Sequence, residues 1–132
     1  MVRKRSEQPT ELELEILNVL WSEAPLLVRD VRARLEARSG RQLAHSSVIT
    51  MLNIMYRKGF LRRQKQGKSF IFWPRDKKQN VAGRMIGDLV SRAFGGSASA
   101  MVLNLLETTD LDAEELAEIR KLVARKAKEK QP

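Results

Sequence analysis

The apolar positions of this chain change period several times, and each change marks an element. Thr10 is followed three places later by Glu13, the spacing of a capping box. Leu12, Ile16, Val19 and Leu20 then recur at helical spacing. Glu11 to Ile16 also alternates as a strand would, but Leu and Glu are strong helix formers, so the pattern predicts a first helix over about 10–22. Ser22-Glu23-Ala24-Pro25 breaks it. Leu27, Val31 and Leu35 repeat on one side of a second helix, about 27–38, with Arg29, Arg32, Arg34 and Glu36 outside and a stop near Ser39-Gly40. Leu43-Ala44 reads as a very short strand. A third helix starts at Ser46 or Ser47 and runs to about Lys58, with Gly59 as its stop. Leu61 to Lys65 and Phe70 to Trp73 read as two strands joined by a turn at Gln66-Gly67-Lys68-Ser69, and Pro74 ends the second.

Beyond residue 75 the period is helical throughout. Val81, Met85, Ile86, Leu89, Val90 and Phe94 form one stripe of a helix over about 77–94, closed by Gly95-Gly96-Ser97. A helix over about 98–107 is apolar nearly all round, through Met101, Val102, Leu103, Leu105 and Leu106. Asp112 caps a last helix with Glu115 at the capping-box position, and Leu116, Ile119, Leu122 and Val123 make its apolar face. Lys126, Lys128 and Lys130 suit the negative pole of its dipole. The expected fold is mainly α: a basic flexible arm at 1–9, a winged helix-turn-helix of three helices and a hairpin at 10–75, and a helical region at 76–132.

That second region buries little if it stands alone, since three helices of this size make a marginal core. Pairing with the same helices of a second copy is the economical solution. Met85, Leu89, Met101, Leu105, Leu106, Leu116, Ile119 and Leu122 are the expected contact residues of such a homodimer. The alternative is that these helices pack back on the first domain.

Charge sharpens the picture. The chain of 132 residues has 25 Lys and Arg against 16 Asp and Glu, a formal net charge of +9. Residues 1–74 hold 14 of these cations and 7 of the acids. From Arg38 to Arg75 there are nine Lys or Arg and no acid at all. A cationic surface this local fits a polyanion, because each cation near a phosphate displaces a condensed counterion. Cysteine is absent and His45 is the only histidine. No thiolate chemistry, no metal site and no cofactor are expected, and neither a nucleophile–base pair nor a phosphate-cradling loop points to an enzyme. No apolar run approaches a membrane span, and Arg3-Lys4-Arg5 is not followed by the apolar stretch of a signal peptide, so no membrane insertion and a cytoplasmic location are expected.

Within that window the third helix divides cleanly. At about 100° per residue, Val48, Met51, Leu52 and Met55 fall on one side, and Ser46, Thr50, Asn53 and Arg57 on the other, with Ser47, Ile54 and Ile49 at the borders. Solubility alone would favour Glu and Lys over mid-helix Ser and Thr. Ser46, Ser47, Thr50 and Asn53 are therefore the candidate readers of base edges, with Ile49 and Ile54 able to touch a thymine methyl. His45, Arg57, Lys58, Arg63, Lys65 and Lys68 are the candidate contacts to the DNA backbone. Double-stranded DNA is the expected partner. A nonspecific architectural DNA binder and a winged-helix protein-interaction module remain as alternatives.

Three stretches carry a family resemblance. They are Thr10-Glu11-Leu12-Glu13 through Leu20-Trp21; Ser47-Val48-Ile49-Thr50-Met51-Leu52 through Tyr56-Arg57-Lys58-Gly59-Phe60-Leu61; and Gly95-Gly96 through Met101-Val102-Leu103-Asn104-Leu105-Leu106-Glu107, followed by Leu111. In this order they resemble the penicillinase-repressor family, the winged-helix repressors of the BlaI, MecI and CopY kind. The resemblance implies a homodimeric transcriptional repressor of a palindromic operator. It also implies release when a membrane metalloprotease-sensor leads to cleavage in the dimerisation region, at a bond matching Asn104–Leu105. Well-known members have Phe where this chain has Leu105. Antibiotic resistance is one family outcome. The cysteine cluster of the copper-responsive branch is missing here, which excludes copper sensing by that route.

Overall fold

A computed structural model of the chain describes residues 8–132; most of the basic arm expected at 1–9 lies outside them. The order is α1 (Glu11–Ser22), β1 (Leu26–Leu27), α2 (Val28–Ser39), α3 (His45–Lys58), β2 (Leu61–Gln66), β3 (Ser69–Pro74), α4 (Lys78–Ala93), α5 (Ala98–Thr108) and α6 (Ala113–Glu129). The described residues form two compact units, divided between Asp88 and Leu89, inside α4.

The first unit is a winged helix. The capping box at its start is formed: Glu13 N–H donates to Thr10 Oγ1 at 3.2 Å and Thr10 N–H to Glu13 Oε1 at 2.8 Å. Ile16, Leu17 and Leu20 of α1 meet Val31 and Leu35 of α2, and Val48, Leu52 and Met55 of α3, in one core that Phe60, Leu61 and Phe72 close. Each such side chain contributes roughly 1.5–3 kcal/mol by leaving water. Gly59 ends α3 in the left-handed region at φ 89°, which lets Phe60 N–H return to the Met55 carbonyl at 2.9 Å and turns the chain into the wing. The wing is a two-residue hairpin with Gly67 at the first central position, φ 64°, and Gln66 opposite Ser69.

Three sequence expectations need correction. Leu27 belongs to β1, not to a helix; β1 pairs with β3 through Leu26–Phe72 and Leu27–Ile71, so the sheet is three-stranded and antiparallel in the order β1-β3-β2. Two residues carry no readable period, and their pairing is set by a strand far along the chain. Leu43-Ala44 is not a strand: Leu43 packs on the core and its carbonyl accepts from Arg32 Nε at 2.7 Å. Finally, α3 begins at His45, with Ala44 as N-cap and no side-chain cap bond, so neither Ser46 nor Ser47 starts it. Val48, in the first turn, is fully buried in the core.

Trp21 Nε1 donates to the Asp76 carbonyl at 3.0 Å and Arg84 to Asp76 Oδ2 at 3.0 Å, which ties the first turns of α4 into the first unit. In the second unit, Ser97 caps α5 through Ala100 N–H at 3.1 Å. The predicted Asp112–Glu115 capping box opens α6. Neither α5 nor α6 buries a single residue to completion.

Candidate nucleic-acid interface

One face of α3 is spent on the core, and the opposite face is exposed. Val48, Leu52 and Met55 are fully buried, while His45, Ser46, Ser47, Ile49, Thr50 and Arg57 are exposed. Thr50 donates its hydroxyl hydrogen back to the Ser46 carbonyl at 3.0 Å, so outward it offers oxygen lone pairs. Asn53 and Ile54 are half-buried. A cleft of about 430 Å³ runs beside this helix, bounded by Leu27 of β1, Arg29 in the first turn of α2, His45, Ile49 and Asn53 of α3, and Lys68 and Phe70 of the wing. Arg29 adds a cation to this surface, although Asp30 and Glu36 separate it in sequence from the acid-free window.

The wing is joined to the exposed helix face by one arginine. Arg63 Nη1 donates to Asn53 Oδ1 at 3.0 Å. Its guanidinium carbon lies 4.1 Å from the Tyr56 ring centroid and 4.4 Å from that of Phe70. The register explains the convergence: Arg63 stands opposite Phe72 and Lys65 opposite Phe70, so both cations share the strand face that carries the two phenylalanines. Tyr56 and Phe70 as stacking partners were not legible from spacing, since they come from different elements.

The nine cations of the acid-free window have different fates. Arg38 donates to Ser22 Oγ at 3.0 Å and to the Asn18 carbonyl at 3.3 Å. Arg41 bridges back to Glu15 at 2.8 Å and Glu11 at 3.9 Å. The Arg41 hydrogen bond holds the Glu15 carboxyl below the usual carboxylate range, and Arg34 does the same for Glu23. Arg57, Arg62, Lys65 and Lys68 are exposed and, among the described residues, have no ion-pair partner. The empty stretch in the sequence is thus a mixture of struts to α1 and outward charge.

Lys58 has a structural engagement that its place in the sequence did not disclose. Its ammonium lies 2.8 Å from Oε2 of Glu13, a residue only 1% exposed. Glu13 so joins the start of α1 to the end of α3. Removing one partner of a buried pair costs about 3–5 kcal/mol. Lys58 is partly exposed and the Thr10 N–H stays on the carboxylate, so Lys58→Ala is expected to cost less, about 1–3 kcal/mol. A lowered urea midpoint with an unchanged slope checks it; an unaltered midpoint contradicts the strut.

Comparison with known proteins decides the family. The model of the penicillinase repressor family matches residues 9–125. The chain belongs to the penicillinase repressor family. It is 27% identical over 120 residues to the penicillinase repressor of Bacillus licheniformis, covering 91% of this chain and 92% of that protein. It is 22% identical to the methicillin resistance regulatory protein MecI of Mammaliicoccus sciuri, covering 86% and 91%. Among solved structures, the hsRosR-S4 complex shares the fold with a TM-score of 0.56 at 17% identity, over 98% of both chains. The family is one of DNA-binding transcriptional repressors, which is not an enzyme class. In this family member Asn104 and Leu105 are both exposed in the middle of α5, and Thr108 Oγ1 donates to the Asn104 carbonyl at 2.7 Å. Among the described residues no single helix is long and apolar enough to cross a membrane.

Proposed function

We propose that the protein represses transcription as a homodimer by laying α3 of each copy in the major groove of a palindromic operator. The observation that carries this is the two-sidedness of α3: a buried apolar face and an opposite face of exposed hydroxyls, within a stretch of sequence that has nine cations and no acid. Ser46, Ser47, Thr50 and Asn53 read base edges, and His45, Arg57, Lys65 and Lys68 meet phosphates. Of the other two expected backbone contacts, Lys58 pairs with Glu13 and Arg63 donates to Asn53. The winged helix of residues 10–75 is the DNA-binding part, and residues 76–132 serve dimerisation.

Dimerisation draws its support from the second unit, where Leu89, Val102, Leu103, Leu105, Leu116, Leu122 and Val123 are exposed. Met85, Met101, Leu106 and Ile119 are half-buried. An apolar surface of this extent on a small unit calls for a partner, and a two-fold pair would set two reading helices one helical turn, or a multiple, apart. The protein acts in the cytoplasm, where its operator is, and has no catalytic role. Cleavage at Asn104–Leu105 by a membrane metalloprotease-sensor would release the operator by removing α6 and the end of α5. N-terminal sequencing of fragments from induced cells tests that step, and an intact α5 at full induction refutes it.

Footprinting and gel shifts on the region upstream of its own gene test the main proposal; equal affinity for scrambled duplexes refutes it. Two substitutions separate its parts. Asn53→Ala is expected to cost roughly 1–3 kcal/mol on the cognate site and to relax discrimination there. Lys68→Ala is expected to weaken every sequence about equally and to lower the salt slope by about one. Identical behaviour of the two variants contradicts the division between readers and phosphate contacts.

A further inference from the structure

Arg63 sits where a phosphate contact would not need it to be. Its guanidinium is stacked between Tyr56 of α3 and Phe70 of β3, 4.1 and 4.4 Å from the ring centroids, and donates to Asn53 Oδ1 at 3.0 Å. A guanidinium has donors only, so the Asn53 atom that faces it is the carbonyl oxygen and the amino group points away from it. Asn53 and Tyr56 lie three residues apart on one face of α3, so the stack and the hydrogen bond form a single junction. Planarity makes arginine suited to this place, since it stacks and donates at once.

We propose that Arg63 is a positioning residue for sequence readout: it locks the Asn53 amide so that Asn53 addresses the groove as a hydrogen-bond donor only. The proposal rests on the reading of α3 as the groove helix. An unrestrained asparagine offers one donor and one acceptor side by side and pairs with both N7 and the N6 amine of adenine. With its oxygen turned to the wing and its amino group to the groove, Asn53 is satisfied by a purine N7, a guanine O6 or a thymine O4, and gains nothing from the amine of adenine or cytosine. Specificity at that base pair is then set jointly by the helix and the wing, and a change in the wing alters which base the helix prefers.

The test uses the full-length protein. Duplexes are selected from a randomised pool by wild type, Asn53→Ala and Arg63→Met, and the base preference at each half-site position is compared. Asn53→Ala is expected to flatten one position, and Arg63→Met to change that same position toward adenine. The adenine or cytosine of that pair is next replaced by an analogue without its exocyclic amine. The loss of binding in wild type is expected to match the loss in Asn53→Ala within about twofold, because no Asn53 contact to the amine exists to be lost. A further loss of about threefold or more in wild type, the size of one hydrogen bond, overturns the donor-only assignment, and this arm needs no variant of Arg63. An Arg63→Met profile identical to wild type, with Asn53→Ala altered, overturns the positioning role alone. An Asn53→Ala profile identical to wild type instead overturns the groove reading beneath it.

Discussion

Leu106→Asp is expected to leave a monomer whose winged helix is still folded and whose operator affinity has fallen about a hundredfold or more. The substitution lies in α5, in the second unit, while the core around Leu52 lies wholly in the first. An aspartate set beside Val102, Leu103 and Leu105 places a charge in an apolar surface, at a cost that pairing of two copies would meet twice. Once the copies part, each half-site is bound alone, and the advantage of a linked second contact, typically 10²–10⁴-fold, disappears. Sedimentation should show half the mass, circular dichroism should keep the helical signal of the first unit, and the gel-shift midpoint should move with it. An unchanged sedimentation profile refutes α5 as the interface. Loss of mass without loss of affinity separates dimerisation from operator binding and refutes the palindromic arrangement instead.

What the sequence disclosed was what local chemistry controls. The capping boxes at Thr10–Glu13 and Asp112–Glu115 are formed as their spacing predicts, because a cap is an interaction over three residues. The two sides of α3 were legible because a helix rotates each residue by a fixed angle. The winged helix itself could be read from three helical periods followed by two short strands around Gly67. Hidden were the features that depend on a distant partner. β1 exists only because β3 pairs with it. Glu13 was legible as the capping partner of Thr10, but not as a buried carboxylate paired with Lys58, 45 residues away in sequence. Arg38 and Arg41 counted as polyanion-facing charge until the structure turned them to α1. Arg63 shows the same limit at the candidate site: its strand position was predicted, but not that two aromatic rings and an amide would take its guanidinium.

Leu52→Ala carries the largest expected effect on folding. Leu52 is completely buried on the inner side of α3, among residues of α1, α2 and the sheet, and its loss leaves a cavity that rigid helices cannot close. Such truncations cost about 2–5 kcal/mol, a large share of the 5–15 kcal/mol that holds a typical domain together. For a domain of this size that lowers Tm by about 10 °C or more. The exposed face of α3 is untouched, so below the new transition the folded fraction should keep the wild-type operator preference and salt slope. The pairing of copies should survive as well, since every expected interface residue except Met85 lies in the other unit. Leu52→Ala and Leu106→Asp therefore fail in opposite ways, one losing the fold before the readout and the other losing assembly while the fold stands. If Leu52→Ala changed base preference while remaining fully folded, the reading face and the core face of α3 would not be independent. The reading of that helix as a rigid two-sided element would then have to be given up.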